Sequence, residues 1–271
     1  MKKLFILALS ASCYVQAAAQ ELYVFTEPAS NMPAHTITPK IQTELGSGNG
    51  SISQRYTPQM MFGFSKKFMM HLGGTLSNMY TGQLRGESIF TYAKYRFFSD
   101  DGVHRHFRMA LFGEASLSKN DYQYDELNLQ GGRSGIQLGL VATQLVNRFA
   151  VSGTWSTLQA LDHSRFDKIY YTPERIYQAM NYSLSAGYLL LPKEYQNYKQ
   201  LNLNLYTELL GQTTWGRKTN YLDLAPAIQF IFNSNTKLNL GYRFQIEGDQ
   251  YRPSTHSFLL SVEHTLFNAL K

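Results

Sequence analysis

Hydrophobic and polar residues alternate along much of the chain beyond residue 35. Between residues 107 and 117 the odd positions carry apolar or small side chains, whereas the even positions include Arg108, Glu114 and Ser116. The same alternation recurs at residues 201–209 and 237–247. Because successive side chains of a β-strand point to opposite faces, this period of two predicts strands with one apolar face and one polar face.

The connections between these segments also alternate, in length. Odd-numbered connections are longer and polar, as in KNDYQYDELNLQGGRS, whereas most even-numbered ones are tight, as in SKK, SDDG and VNR. Long connections on one side and short turns on the other are typical of outer-membrane barrels, and an even strand count returns both termini to the periplasmic side. The predicted strands span residues 35–45, 56–65, 68–78, 87–98, 104–118, 135–146, 148–160, 176–190, 199–211, 220–232, 237–247 and 255–267.

The sequence therefore predicts an all-β fold, a transmembrane antiparallel up-and-down β-barrel of about 12 strands with short periplasmic turns and longer extracellular loops. Beyond the N-terminus the chain has no run of 18 apolar residues, which argues against a bundle of membrane-spanning helices. A soluble β-sandwich or a lipocalin-like barrel is the alternative, because alternation also fits a sheet that is half buried in water.

The stretch FGFSKKFMMHLGG, residues 62–74, predicts one hairpin with its register. A turn of three residues, 65–67, keeps apolar residues opposite apolar residues on the outer face, whereas a turn of two would mix the faces. The two lysines of SKK then lie where the chain leaves the hydrocarbon. The predicted pairs are Phe64 with Phe68, Phe62 with Met70, and Met60 with Leu72.

The N-terminus has the layout of a secretory signal. Two lysines precede an apolar stretch in MKKLFILALSASCYVQAAAQELYV, and Ala17, Ala18 and Ala19 supply a small-residue cleavage site. The predicted organisation is a cleaved signal peptide at 1–19, an N-terminal periplasmic segment at 20–34 and an outer-membrane β-barrel at 35–271. The single cysteine, Cys13, lies in the signal, so the mature chain has no disulfide; lipid attachment at Cys13 is the alternative.

The net charge of +6 is the one feature that suggests nucleic acid as a partner. The Lys and Arg residues are scattered rather than grouped in a block, and an exported chain rarely meets nucleic acid. The sequence therefore predicts no nucleic-acid binding. Scattered charges instead fit the polar face of the predicted strands.

The two ends of the mature chain carry resemblances to known proteins. The run HSFLLSVEHTLFNALK resembles the closing strand of outer-membrane β-barrel proteins, with Phe258, Leu260 and Val262 facing outward and Phe267 as the aromatic near the end. The resemblance implies recognition by the barrel-assembly machinery and contact with outer-membrane lipids. The stretch ELYVFTEPASNMPA is similar to a poorly characterised family of Gram-negative outer-membrane barrels, which implies that location but no activity.

Charged residues on the polar face are the candidates for a constriction in the lumen. Both signs occur, and mixed charges either select ions or pair and close a narrow barrel. The favoured function is a passive, porin-like channel for small solutes or ions, without a cofactor; a closed structural barrel is the alternative. The predicted lumen-lining residues are Lys40, Glu44, Lys94, Arg96, Arg108, Glu114, Glu208, Arg243, Glu247 and Glu263.

Soft metal ligands also share the polar face. The predicted register places Met61 opposite His71, with Met69 one step away, and His104 and His106 share a face near the next turn. Thioether and imidazole groups together suit copper. The alternative is structural, since methionine fills irregular gaps in many cores.

Two further functions rest on the loops. Tyrosines are amphipathic anchors that protein interfaces favour, and Tyr122, Tyr124, Tyr170 and Tyr171 are candidates for surface contacts. A lipid-modifying enzyme would need a serine and a histidine in contact, and His163 with Ser164 is an adjacent pair in a polar loop. Because neighbouring strand residues face away from each other and no nucleophile elbow is present, the sequence predicts that the chain is not an enzyme.

Overall fold

The alternating segments form a closed barrel of twelve antiparallel strands in the computed structural model. The structure describes residues 23–48, 51–120, 122–161, 175–193, 199–216 and 218–270. The fold class and the strand number predicted from the sequence are confirmed. The strands are β1 Thr36–Gly48, β2 Ser51–Gly63, β3 Phe68–Ser77, β4 Arg85–Asp101, β5 Arg105–Ser118, β6 Gly135–Val146, β7 Phe149–Ala160, β8 Gln178–Leu191, β9 Asn202–Thr214, β10 Asn220–Phe232, β11 Thr236–Gly248 and β12 His256–His264.

Each strand pairs with its sequence neighbours, and the barrel closes between the first and last strands. β1 pairs with β12 from Lys40 with Glu263 to Gly46 with Ser257. Closure gives every strand two hydrogen-bonded neighbours, so the wall has no open edge in the membrane. Within the described residues no helix is long and apolar enough to cross a membrane.

The hairpin of β2 and β3 has the predicted register. Phe62 pairs with Met70, and Met60 pairs with Leu72. The rings of Phe64 and Phe68 stack with centroids 5.8 Å apart. The Ser65 hydroxyl accepts hydrogen bonds from the backbone N–H groups of residues 67 and 68, at 3.2 and 3.1 Å, which fixes the turn.

The first connection is much shorter than the sequence predicts. Residues 46–55 read as a polar loop, yet Gly46 pairs with Ser53 and Gly48 pairs with Ser51. Polar residues continue a strand as readily as a loop where the wall extends beyond hydrocarbon, because both faces then meet water. The predicted extracellular loop is therefore largely a continuation of β1 and β2.

The lumen is filled from both ends. Residues 23–34, predicted to be a periplasmic segment, enter the barrel, where Tyr23 and Val24 are buried against Leu145, Tyr206 and Leu259. We call these residues the plug segment. The loop at residues 119–134, called here the inserted loop, folds inward from the opposite end, and its Leu127 and Leu129 are buried.

Candidate functional site

A buried glutamate of β9 holds the start of the plug segment. Glu208 is fully buried. Its Oε1 accepts hydrogen bonds from the backbone N–H groups of Val24 and Phe25, both at 2.9 Å. Its Oε2 accepts the Thr26 hydroxyl at 2.7 Å and the Ser185 hydroxyl at 3.2 Å. A carboxylate that accepts four donors satisfies backbone groups that no strand partner could reach.

A buried lysine of β4 holds the end of the plug segment. The Lys94 ammonium donates to the backbone carbonyl oxygens of Pro28 at 2.6 Å and Ser30 at 2.9 Å. It also lies 3.5 Å from the Glu27 carboxylate. Arg108 on β5 adds a hydrogen bond to the Ser30 hydroxyl at 2.8 Å. The barrel wall therefore binds this segment through charged side chains from three strands, counting Glu208 on β9.

The Glu27 carboxylate lies between cations of the wall. Burial raises its pKa, but Lys94, then His71, Lys40 and Lys237, outweigh that effect and lower the pKa to about 2 from an ordinary value of 4.5. About 37% of the Glu27 side chain is open to the lumen. The plug segment therefore carries a negative charge throughout the neutral and mildly acidic range.

This depressed pKa predicts how the plug segment responds to acid. Because the pKa of Glu27 is lowered in the folded state, its carboxylate stabilises the bound plug segment fully above about pH 4.5. This stabilisation is lost as pH falls through about 2. We expect the amide NMR resonance of Ala29, whose N–H donates to the Thr143 hydroxyl at 2.8 Å, to stay constant from neutral pH to about pH 4.5 and to shift below that.

The matched variant is Glu27→Gln, which has no carboxyl to titrate at this position. Its Ala29 resonance is expected to show a smaller change below about pH 4.5. Identical acid profiles in the two proteins would contradict the assignment of the transition to Glu27.

An ion-pair cluster fastens the extracellular end. The guanidinium of Arg252 donates to both carboxylate oxygens of Asp223 at 2.8 Å, lies 3.3 Å from the Glu126 carboxylate, and stands 3.8 Å above the Tyr221 ring. Arg243 donates to Asp223 as well. We call these five residues the Arg252 cluster. It ties the inserted loop and the connection before β12 to the barrel wall.

Two larger cavities lie beside these fillings in the described part of the lumen. The upper cavity, of about 320 Å³, lies between the plug segment and the inserted loop. The lower cavity, of about 230 Å³, borders the end of the plug segment and the bases of β2, β3 and β11. Tyr23, Glu27 and Lys40 line both cavities. The two cavities therefore adjoin at these three residues, a place called here the crossing.

The arrangement of strands and lumen resembles solved membrane barrels. The fold is that of an outer-membrane β-barrel. The COG4313 outer membrane channel from Pseudomonas putida F1 matches with a TM-score of 0.55 at 10% identity, over 90% of this chain and 100% of that one. KdgM porin matches with a TM-score of 0.47 at 9% identity, over 84% and 98%. Outer membrane phospholipase A from Escherichia coli matches with a TM-score of 0.44 at 10% identity, over 87% and 91%. No family model and no curated protein sequence matches the chain.

Most of the predicted lumen residues border the plug segment or a cavity. Lys94 and Glu208 bind the plug segment, as described above. Others line a cavity: Glu44, Glu114 and Arg243 the upper one, Arg108 and Glu263 the lower one, and Lys40 both. Lys237, which is not among the predicted lumen-lining residues, forms an ion pair with Glu263 at 2.5 Å.

Two predicted lumen residues lie away from the cavities. Glu247 is exposed near the extracellular end of β11, where the strand continues past its last pair with β12, Phe244 with His256. Arg96 is partly exposed near the periplasmic end of β4, beside a register shift in the pairing with β5. Alternation predicts the face of a residue but not its height in the wall, so it could not distinguish these two from the rest.

The structure separates the predicted metal ligands into three places. Met61 pairs with His71, and Met61 and Met69 line the lower cavity, whereas the His71 ring packs 5.0 Å from the Tyr92 ring and borders the upper cavity. The other two lie apart from both cavities: His104 is in the turn between β4 and β5, and His106 is at the start of β5, where it contacts Asp101 at 3.0 Å. Among the described residues no group of three or more His, Cys, Asp or Glu could hold a metal ion.

The loop tyrosines that the structure describes contact residues of their own loop and of other connections between strands. Tyr124 is buried, donates its hydroxyl to the Met79 carbonyl oxygen at 3.2 Å, and packs its ring against Tyr80 and Tyr251. Burial, and then the neighbouring Tyr251, raises the pKa of the Tyr124 phenol. Tyr122 donates to Asp125 at 2.5 Å. The remaining loop candidates, Tyr170, Tyr171, His163 and Ser164, lie outside the described residues.

Proposed function

We propose that the chain forms a non-enzymatic outer-membrane channel that passes small polar solutes or ions through a lumen narrowed by its own plug segment. The observation that carries this proposal is the pair of polar cavities, which share Tyr23, Glu27 and Lys40 as lining residues. Charges that only paired with one another would close the lumen at that level, whereas the Glu27 side chain keeps about 37% of its surface exposed. Here the crossing is lined by charges that water and ions can approach.

The lining supports a preference for cations. Of the groups that line the upper cavity, four are carboxylates, Glu27, Glu44, Glu114 and Glu126, and two are permanent cations, Lys40 and Arg243. All of these carboxylates except Glu114 also pair with a cation outside the lining, so Glu114 carries the uncompensated charge. A passage lined by an excess of one sign concentrates ions of the opposite sign. The likeness to the COG4313 outer membrane channel supports the proposal at the level of the fold.

The outer face of the barrel supports the proposed location in the outer membrane. Large apolar side chains such as Leu72, Leu140 and Leu184 are exposed on the outer face at mid-strand, which suits contact with outer-membrane lipids. The C-terminal strand, which closes the barrel against β1, is the proposed contact for the barrel-assembly machinery. The signal-like N-terminus is the proposed export route.

The experiment is conductance in planar bilayers across a KCl gradient. We expect cation-selective steps, and we expect Lys40→Gln to move the reversal potential further toward the cation limit, because it removes a positive charge at the crossing. Lys67→Gln, at the exposed turn between β2 and β3, is the matched control and should leave the reversal potential unchanged. Folded, inserted protein that stays silent, with the plug segment both intact and weakened by Lys94→Met, would overturn the proposal.

A further inference from the structure

The upper cavity has an aromatic wall. The ring centroids of Tyr92 and Phe112 lie 5.6 Å apart at an interplanar angle of 28°, and the His71 ring centroid lies 5.0 Å from that of Tyr92. Phe90, Tyr182 and Tyr221 also line this cavity. Aromatic faces carry negative electrostatic potential and attract cations, most strongly where water is excluded. A volume of about 320 Å³ lies within the range that small-ligand sites occupy, roughly 300–1,000 Å³.

One carboxylate in this wall has no counter-ion. Glu114 pairs with Tyr92 across β4 and β5, and it lies two residues from Phe112 on the same face of β5. Its Oε1 is buried without a hydrogen-bond partner among the described residues, and no ion pair to Glu114 is found there. The Gln130 side chain hydrogen-bonds to Glu114 but supplies no charge. A buried carboxylate oxygen without a partner is costly, so a cation that enters the cavity would find an unmet acceptor beside aromatic rings.

The other carboxylates of the cavity already have cationic partners. Glu44 lies 3.5 Å from Arg55, and Glu126 lies 3.3 Å from Arg252. Glu27 lies 3.5 Å from Lys94. Glu114 is therefore the carboxylate with capacity for an incoming charge. The His71 Nε2, also buried and without a partner among the described residues, adds a second polar atom in the same part of the wall.

We propose that the upper cavity binds a small organic ammonium compound, with the ammonium between Glu114 and the Tyr92–Phe112 pair. This inference deepens the proposed function and rests on it, since it names the class of solute that the same lumen admits. An anion would be repelled by the unpaired charge of Glu114, and a neutral solute would cover Glu114 without supplying a counter-ion. A quaternary ammonium group satisfies both the ring faces and the carboxylate.

The test compares choline with 3,3-dimethylbutan-1-ol, its neutral isostere, by saturation-transfer NMR titration of the whole folded protein in detergent. We expect choline to bind at least about tenfold more tightly, since a desolvated cation–π contact and a charge pair together exceed about 1.4 kcal/mol. Equal affinity for the two probes, or no binding of choline, would overturn the inference.

Variants locate the site. Glu114→Gln is expected to reduce the preference for choline to about twofold or less, whereas Glu114→Asp, which keeps the charge, should retain most of it. Glu247→Gln is the matched control, because Glu247 is exposed and lies outside the cavity. The heat-modifiable gel migration of each variant establishes that its barrel is folded. An unchanged preference in folded Glu114→Gln would overturn the placement.

The two proposals fail in different ways. Ion conductance without choline binding would overturn the ammonium site and leave the channel. Choline binding in detergent without current, even from Lys94→Met, would overturn the channel and with it the role of the ammonium compound as a passing solute. The binding site itself would then stand as a closed pocket.

Discussion

Lys94→Met is expected to release the plug segment and to raise the conductance of the barrel. The fully buried ammonium binds two backbone carbonyl oxygens and faces the Glu27 carboxylate. Methionine fills a similar volume but donates nothing, so these acceptors lose their donor in a dry site. Hydrogen bonds to a charged group contribute about 1.5–3 kcal/mol each, so losing two shifts the equilibrium toward the released plug by about 100-fold or more.

Release is measured in two ways, by single-channel conductance and by protease cleavage within residues 23–34. Lys67→Met is the control, because Lys67 lies in the exposed turn between β2 and β3 and its side chain does not reach the plug segment. The released population should show larger conductance steps and faster cleavage, while the control resembles the wild type. A folded Lys94→Met protein with unchanged cleavage would show that Lys94 does not hold the segment.

Arg252→Met is expected to loosen the extracellular mouth. Its guanidinium is shared by Asp223 and Glu126, both buried, and it covers the Tyr221 ring. Removing one partner from a buried ion pair costs about 3–5 kcal/mol, because the remaining charge loses its compensation. Arg243 still contacts Asp223 directly but lies 3.9 Å from Glu126, so the larger loss falls on Glu126, which loses its closer cation, and on the inserted loop that carries it.

Hydrogen exchange monitors this loosening. Backbone N–H groups of residues 125–127, which bond to the Tyr251 carbonyl oxygen and to the Gln212 side chain, should exchange at least about 100-fold faster in Arg252→Met. Lys119→Met, which removes an exposed positive charge from the start of the same loop, should leave these rates unchanged. Equal protection in both variants would mean that the inserted loop is held by its apolar contacts alone.

The strands of the barrel wall can be predicted from the sequence because the face of each residue depends on its near neighbours in the chain. Alternation assigns Leu111 to the lipid face and Glu114 to the lumen, and the apolar pairs of the hairpin select a register that pairs Met61 with His71. Lipid on one side enforces that alternation in every strand. The spans of β6 and β10 can therefore be predicted residue by residue.

The position of the plug segment inside the lumen cannot be predicted from the same alternation. Residues 23–34 have no period, and their partners lie far along the chain: Glu208 is 184 residues from Val24 and Thr143 is 114 residues from Ala29. Lys94 and Glu208 can be predicted to face the lumen. The residues beside them in the sequence do not indicate whether these side chains contact water, each other or the backbone of the plug segment. That choice depends on strand tilt and lumen radius, which the pattern does not contain.

The short connection between the plug segment and the wall makes the segment a tethered ligand. Only His35 separates residues 23–34 from the first residue of β1, Thr36. A short tether presents its ligand at an effective concentration of about millimolar, whatever the amount of protein present. A detached peptide of the same sequence would have to reach that concentration to compete, whereas a single cut at the tether would make occupancy of the lumen depend on dilution.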